Sequence, residues 1–209
     1  FPMEIREGYM PFAGYQTYYR IVGEKTGNKK PFVLLHGGPG STHNYFEVLG
    51  RLAEEDGREI VMYDQLGCGE SYVENRPDLW KSETWVKELI QLREHLGLEE
   101  VHILGQSWGG MLLLDYVCNY HPKGIKSLVL SSTLPASWMW GLEQQRMIQE
   151  LPQEMQDAIQ KAVATNDYSD PANQAAEAEY MLRHAAGPVT EDSPECLRRP
   201  ARKGRESYV

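Results

Sequence analysis

Two short glycine-rich motifs carry the residues of this chain whose types and spacing could do chemistry. The first, Gly105-Gln-Ser-Trp-Gly109, has the pattern G-x-S-x-G, in which a serine lies on a sharp strand-to-helix turn with its hydroxyl exposed. An apolar run at 101–104 precedes the motif, and a helical run at 111–120 follows it. A side chain at either glycine would collide with the neighbouring strand and helix. The context therefore predicts that Ser107 is a nucleophile rather than a serine that caps a helix.

The second motif, His36-Gly-Gly-Pro-Gly40, follows an apolar, strand-like run at 31–35. In hydrolases with a G-x-S-x-G serine, a loop at this position supplies one backbone N–H of the oxyanion hole, and the residue after the serine supplies the other. That residue is Trp108 here. Each such donor typically stabilises the transition state by about 3 kcal/mol, because it needs no reorganisation as charge develops. Beside Ser107, a Gly-Pro turn without chemical function is the less favoured alternative.

Residues 64–71, Asp-Gln-Leu-Gly-Cys-Gly-Glu-Ser, complete a set of three motifs. In order and spacing the set resembles the proline iminopeptidase family of α/β-hydrolases, and the likeness runs from about Ile5 to the end of the chain. The H-G-G-P-G form is a more specific motif than the H-G-G-G of lipases and esterases. The resemblance implies release of an N-terminal residue, often proline, from a peptide or amide. It also implies that Gly38 and Trp108 form the oxyanion hole.

Composition is that of an ordinary globular protein: 209 residues, 41% hydrophobic and 24% charged. The formal net charge of −9 disfavours nucleic acid and anionic membrane surfaces as partners. No apolar run approaches the roughly 18 residues of a membrane span. We expect the natural start at Met3 and no signal peptide, since 3–7 is charged from its beginning.

The three cysteines lack the spacing of a disulfide framework, so we expect reduced thiols and a cytoplasmic protein. Cys118 lies in an apolar helical run and is predicted to be buried, whereas Cys68 lies in a glycine-rich loop with no nearby base. The Gly67-Cys-Gly69 stretch lacks the third glycine and the helix of a dinucleotide-binding fingerprint. No cofactor and no metal site are expected. The loop around Asp64 is expected to be structural, with Asp64 bonded to nearby backbone N–H groups.

Alternating apolar runs predict an α/β-hydrolase fold with a mostly parallel sheet over residues 3–133. Residues 9–12 and 16–22 are predicted to form an antiparallel hairpin around Ala13-Gly14. The predicted parallel strands, each short, apolar and buried on both faces, are 32–35, 59–63, 101–104 and 127–130. The predicted helices between them are 45–54, 84–96 and 109–120.

Residues 134–209 are predicted to be a second domain, the start of a helical cap. Its polar, helix-rich pattern places helices at 142–150, 153–165 and 173–184, followed by a loop at 188–204. Pro152 and Pro171 lie where helix starts tolerate proline. For the aromatic stretch at 138–140, core packing is favoured over a role in a substrate pocket.

No histidine of the chain is in a position to activate Ser107. In this kind of hydrolase the order is Ser, then Asp or Glu, then His, and only His121 and His184 follow the serine. His121 ends the helix that Ser107 begins, about 20 Å away at 1.5 Å per residue. His184 lies in the predicted cap without a preceding strand-end carboxylate. His36 is expected to be a packing or hydrogen-bonding residue.

The three remaining histidines, which have no feature beyond surface or strand-end placement, are His43, His95 and His102. The chain is therefore predicted to lack the final strands of the sheet, which would leave an exposed sheet edge. A C-terminal segment or a second chain would then supply the triad Asp and His.

These features predict a serine hydrolase that cleaves the N-terminal residue, by resemblance proline, from small peptides or amino-acid amides through an acyl-enzyme. Two alternatives remain open. One is a general amino-acid amidase or esterase. The other is a non-catalytic α/β-hydrolase module that binds a ligand, which only the missing base favours.

Overall fold

The structure is a computed structural model that describes residues 3–25 and 29–200 together with Gly204 and Ser207. Its described residues form two compact units, one from Phe1–Pro135 with Pro194–Val209, the other from Ala136–Ser193. The second unit thus ends earlier than the predicted 134–209 segment. The described residues from Pro194 onward belong to the first unit, where the Arg199 guanidinium forms two hydrogen bonds, of 2.6 and 2.9 Å, with the Glu47 carboxylate. Part of the 188–204 loop lies outside the described residues.

A six-stranded sheet with the order β1-β2-β4-β3-β5-β6 organises the first unit. Its strands are β1 (Ile5–Phe12), β2 (Tyr15–Val22), β3 (Phe32–Leu35), β4 (Ile60–Tyr63), β5 (Val101–Gln106) and β6 (Ile125–Ser131). The hairpin β1–β2 is antiparallel, β2 pairs antiparallel with β4, and the other pairs are parallel. The predicted hairpin and the mostly parallel sheet are confirmed.

The helices follow the predicted alternation. They are α1 (Arg51–Asp56), α2 (Ser82–His95), α3 (Trp108–Tyr120), α4 (Ser137–Ile148), α5 (Gln153–Thr165), α6 (Pro171–His184) and α7 (Glu195–Arg198). The predicted helix at 45–54 is divided into a 3₁₀ segment, Asn44–Gly50, and α1. Within 188–204, predicted as loop, four residues form α7. None of the helices in the described part of the chain has the length and apolar character of a membrane span.

Both faces of the central strands are buried. Successive side chains of a strand point to opposite faces, so these strands contribute to a hydrophobic cluster on each side of the sheet. On one face Val33, Val61 and Ile103 pack with Leu89 of α2 and Leu112 of α3. On the other face, residues of the 3₁₀ segment and α1 cover the sheet. The buried members of that second cluster are Val22, Leu34, Phe46, Ala53, Ile60 and Met62. The short apolar strands are therefore those of a sheet covered by helices on two sides.

Strand β6 is an exception, and the prediction that 127–130 is buried was wrong. Leu130 is 46% exposed, and Leu128 and Val129 are exposed as well. Among the described strands β6 pairs only with β5 and forms the edge of the sheet. Cys118, predicted to be buried, is exposed because it lies on the side of α3 turned away from the packed residues. The sheet thus has an open, partly apolar edge, as expected.

The second unit consists of α4, α5 and α6 with their connections. Ala162 of α5 and Ala176 of α6 are buried, and Pro171 occupies the start of α6. The Asp170 side chain accepts a 2.9 Å hydrogen bond from the Ala172 N–H and thereby caps α6. The prediction of core packing for 138–140 was wrong for Trp138, which is 66% exposed, and for Trp140, which is 50% exposed, because α4 buries no residue.

Candidate active site

Ser107 lies on the turn between β5 and α3 with φ 53° and ψ −122°. Residues other than glycine rarely adopt positive φ, so surrounding contacts must hold this conformation. The Ser107 N–H donates to the carbonyl of Ser131 at 3.0 Å. Its own carbonyl accepts hydrogen bonds from Thr133 Oγ1 at 2.7 Å and from the Gly110 N–H at 2.9 Å. The serine is thus placed on a strained strand-to-helix turn of the kind the G-x-S-x-G pattern predicts.

The two glycines of the motif permit the close approach of strand and helix. A Cβ on Gly109 would lie 2.1 Å from the carbonyl oxygen of Leu35 at the end of β3. A Cβ on Gly105 would lie 2.4 Å from the carbonyl oxygen of Gly109. Both distances are far inside van der Waals contact, so any larger residue would displace the turn.

The His36–Gly40 loop begins where β3 ends, directly beside the Ser107 turn. Leu35 is paired with Gly105 across the parallel strands β3 and β5. A Cβ on Gly37 would lie only 3.1 Å from the Cβ of Ser107. The two motifs, remote in sequence, are therefore neighbours at the carboxyl edge of the sheet.

The residues predicted to form the oxyanion hole have backbones suited to that task. Gly38 has φ 118°, a conformation that L side chains rarely adopt. Trp108 is the first residue of α3, so its N–H has no acceptor within the helix. The positive end of the helix dipole lies at the same place. Two such N–H groups on neighbouring loops can stabilise an oxyanion that forms at Ser107.

His36 is buried and holds its loop by hydrogen bonds, as expected. Its Nδ1–H donates to the carbonyl of Gly37 at 2.8 Å, and its Nε2 accepts from the backbone N–H of Gln65 at 3.0 Å. Burial lowers the pKa of His36. The ring is therefore neutral and carries its proton on Nδ1, which satisfies both nitrogens without a charge.

Asp64 is a structural residue, and its partner His43 was missed. The Asp64 carboxylate accepts from the N–H groups of His43 at 2.8 Å and Glu70 at 2.9 Å, as expected of a structural loop. The Nδ1 of buried His43 lies 2.7 Å from the same carboxylate, and its Nε2 lies 3.2 Å from Glu47. Burial alone would raise the pKa of Asp64, but the hydrogen bonds from His43 hold it below its ordinary value. The four-residue spacing of His43 and Glu47, which places the two side chains on one side of a helical turn, was the available sequence signal that His43 has a charged partner.

Among the described residues, no histidine forms a hydrogen bond with the Ser107 hydroxyl. His102 is bonded through Nδ1 to Ser127 Oγ at 2.6 Å. His121 is the residue that ends α3, at the opposite end from Ser107. His95 packs against the Tyr19 ring, and His184 packs against the Tyr180 ring of its own unit. The predicted nucleophile and oxyanion donors are thus brought together without a histidine base within the described part of the chain.

The cysteines and the potential metal ligands of the described residues give no indication of a second reaction. Cys68 is buried, which raises the pKa of its thiol to about 12 and keeps it protonated. All three cysteines are free thiols. Within the part of the chain that the structure describes, no cluster of three His, Cys, Asp or Glu side chains could hold a metal ion.

Comparisons with known proteins agree with this geometry. A family model described as the alpha/beta hydrolase fold matches residues 30–204. A proline iminopeptidase of Clostridium botulinum is 67% identical over 207 residues, which cover 99% of this chain and 70% of that protein. One of Clostridioides difficile is 58% identical with the same coverage.

Among solved structures, the crystal structure of the proline iminopeptidase of Mycobacterium smegmatis superposes with a TM-score of 0.83 at 30% identity. The match covers 92% of this chain and 64% of that one. The chain therefore spans about two thirds of the length of these relatives. On this identity and coverage, the chain belongs to the proline iminopeptidase family of the α/β-hydrolases.

Proposed function

We propose that this chain is the nucleophile-bearing part of a serine aminopeptidase that releases N-terminal proline from small peptides and amino-acid amides. The observation that carries the proposal is the junction of the Ser107 turn with the His36–Gly40 loop, where a Cβ on Gly37 would lie 3.1 Å from the Cβ of Ser107. The relatives' name, proline iminopeptidase, supports the choice of substrate.

In the proposed reaction, Ser107 Oγ attacks the carbonyl carbon of the N-terminal residue and forms a tetrahedral intermediate. The proton of the hydroxyl passes to a histidine, while the N–H groups of Gly38 and Trp108 donate to the oxyanion. The carbon–nitrogen bond then breaks, and the leaving amine takes that proton. Water attacks the acyl-enzyme in the second half, and the same groups return the serine to its starting state.

We propose that the histidine and its orienting aspartate lie in sequence beyond this chain. Two observations support an additional segment: the chain spans 70% of its curated relatives, and β6 has an open edge with the apolar residues Leu128 and Val129 exposed. An edge strand offers unpaired N–H and C=O groups to which a further strand can pair. A second chain is the alternative source of this segment.

Two subsidiary proposals concern the second unit and the compartment. We propose that Ala136–Ser193 is the start of a helical cap domain, because α4, α5 and α6 follow the strand after the nucleophile helix. Three free cysteines support a reducing, cytoplasmic location.

The deciding experiment compares proline anilide with N-acetylproline anilide on the full-length protein that contains this chain. The proposal expects a strong preference for the free amine, with kcat/KM for the acetylated compound lower by at least about 100-fold. A site built to bind a polar group of the substrate discriminates this strongly against an analogue that lacks the group. Equal kcat/KM values would replace the aminopeptidase with a general amidase or esterase. Absence of turnover with either compound would support the ligand-binding module.

A further inference from the structure

The two proposed oxyanion donors belong to different loops. Gly38 follows β3 and Trp108 follows β5, so about seventy residues of chain separate them. An oxyanion hole works only when both N–H groups lie about 2.7–3.1 Å from the same oxygen. The distance between the donors must therefore be set by contacts that cross from one loop to the other.

Gln65 makes the first such crossing, by which we mean a side chain that forms hydrogen bonds with both loops. Its side-chain Nε2 donates to the carbonyl of His36 at 2.9 Å, and its Oε1 accepts from the Trp108 indole Nε1 at 3.0 Å. Its backbone N–H donates to His36 Nε2. The residue is fully buried. A primary amide offers one donor and one acceptor at this reach, whereas glutamate would offer acceptors alone and methionine neither to any useful degree.

The position of Gln65 is itself held from α2. The N–H of the next residue, Leu66, donates to the Glu88 carboxyl group at 2.9 Å, and its carbonyl accepts from the Trp85 indole at 3.0 Å. The Trp85 ring packs edge-on against the Trp108 ring at 5.4 Å between centroids. Gln65 is therefore a fixed support rather than a mobile contact.

Tyr45 makes the second crossing, on other atoms of the same two loops. Its hydroxyl accepts from the Gly37 N–H at 2.7 Å and donates to the side-chain Oε1 of Gln106 at 2.7 Å. Gly37 immediately precedes Gly38, and Gln106 immediately precedes Ser107. The Tyr45 hydroxyl thus links Gly37, the residue before one proposed oxyanion donor, to Gln106, the residue before the proposed nucleophile.

We propose that Gln65 and Tyr45 are positioning residues that set the separation of the Gly38 and Trp108 N–H groups. The inference rests on the proposed function, since it presumes that these groups hold an oxyanion. Loss of either crossing lets one loop move relative to the other, and a shift well under 1 Å weakens a bond made only to the tetrahedral species. The proposal therefore expects the tetrahedral species to be affected more than the binding of substrate or product before that stage.

The test uses the full-length protein with Gln65→Met and Tyr45→Phe. The matched control is Tyr116→Phe, which also removes a buried hydroxyl, one that accepts from Arg93 Nη1 at 2.8 Å. For both variants we expect kcat/KM on proline anilide to fall by about 10- to 100-fold, less than the roughly 100- to 1000-fold cost of removing an oxyanion donor outright, because the donors remain and are only displaced. Affinity for a prolyl boronic acid, which forms a tetrahedral adduct with serine, should fall in parallel. Competitive inhibition by proline should stay within about twofold, and the control should match wild type.

Amide hydrogen exchange supplies a readout that needs no activity. Peptides covering 36–40 and 105–110 should exchange faster in both variants than in wild type or Tyr116→Phe. Unchanged exchange and boronate affinity, or equal losses of boronate and proline affinity, would overturn the positioning role. Should Gln65→Met fail to fold, Tyr45→Phe alone decides, because it leaves the ring in place. A wild-type protein that hydrolyses no proline anilide would refute the proposed function. The exchange data would still test whether Gln65 and Tyr45 hold the two loops in place.

Discussion

Thr133 donates a 2.7 Å hydrogen bond from its Oγ1 to the carbonyl oxygen of Ser107. Thr133 follows β6, and it packs so closely on α3 that a Cβ on Gly110 would lie 2.4 Å from the same Oγ1. The turn that carries the serine is therefore held from the β6 side as well as from β3. A residue without any motif of its own thus helps to maintain the strained backbone.

Thr133→Val should lower the free energy of unfolding by about 1 kcal/mol, because it removes the donor and preserves the shape. The Ser107 carbonyl keeps its bond from the Gly110 N–H. Urea unfolding of the full-length protein measures the change. Thr165→Val is the matched control, since Thr165 Oγ1 donates to a carbonyl of its own exposed helix at 2.8 Å. An equal effect in both variants would contradict a special role for Thr133.

Ser107→Ala in the full-length protein should reduce turnover of proline anilide by about 10⁵-fold or more, as for other serine nucleophiles. The midpoint of urea unfolding should change little, because no hydrogen bond of the folded chain depends on the Ser107 hydroxyl among the described residues. Steady-state kinetics with active-site titration measures the loss. Turnover near the wild-type rate would remove Ser107 from the mechanism.

The 209-residue chain alone should show no measurable turnover and should react slowly with a fluorophosphonate probe. Without a base the serine stays a neutral alcohol, and residual catalysis from the hole is about 10³–10⁴ over water at most. Adding the C-terminal segment of the full-length protein should restore labelling at Ser107, read by mass spectrometry. Rapid stoichiometric labelling of the pure chain would instead reveal an internal base, and His184 would be the first residue to replace.

Glu88 should make stability depend on pH. Burial raises the pKa of its carboxyl group to about 8 from an ordinary 4.5, despite hydrogen bonds from Thr17 and Leu66. Between these two values the unfolded chain has lost the proton and the folded chain keeps it, so the stability contributed by this group falls as pH rises and levels off above the folded pKa. Relative to wild type, Glu88→Gln should gain stability from pH 5 to pH 8 in urea titrations. A constant difference across that range would contradict the raised pKa.

The three thiols of the isolated chain should differ in reactivity. Cys118 is exposed, whereas Cys68 and Cys196 are buried and the pKa of Cys68 is raised to about 12 by burial. Iodoacetamide at pH 8 should modify Cys118 first, and Cys68 only after unfolding. Peptide mapping by mass spectrometry identifies the order. Modification of Cys68 in the folded chain would indicate that its loop opens.

The sequence predicted those parts of the molecule that follow from local patterns. Gly105 and Gly109 around a serine, between an apolar and a helical run, specify a turn with little room for alternatives. The short apolar runs predicted the parallel sheet, because strands covered on both faces need no alternation. Placement of His36–Gly40 beside Ser107 then followed from the parallel order of the strands.

Contacts between distant positions lay beyond such patterns. Glu88 belongs to a helix whose polar residues are typical of a solvated face, yet it is fully buried beneath Leu66. His43 meets Asp64 only because two loops converge at the sheet edge. Periodicity also shows which face of a helix is apolar, but not whether another element covers it. That is why Cys118 and Trp138 were wrongly predicted to be buried.

The pairing of Leu35 with Gly105 has a consequence for how the protein folds. Strand β3 lies between β4 and β5, so one of its edges lacks a partner strand until residues after 100 are available to pair with it. Such non-local pairing makes folding slow. The Ser107 turn follows β5 and the His36–Gly40 loop follows β3, so the two motifs become neighbours only when these strands pair. A chain in which β5 has not yet docked therefore lacks the junction on which the proposed site depends.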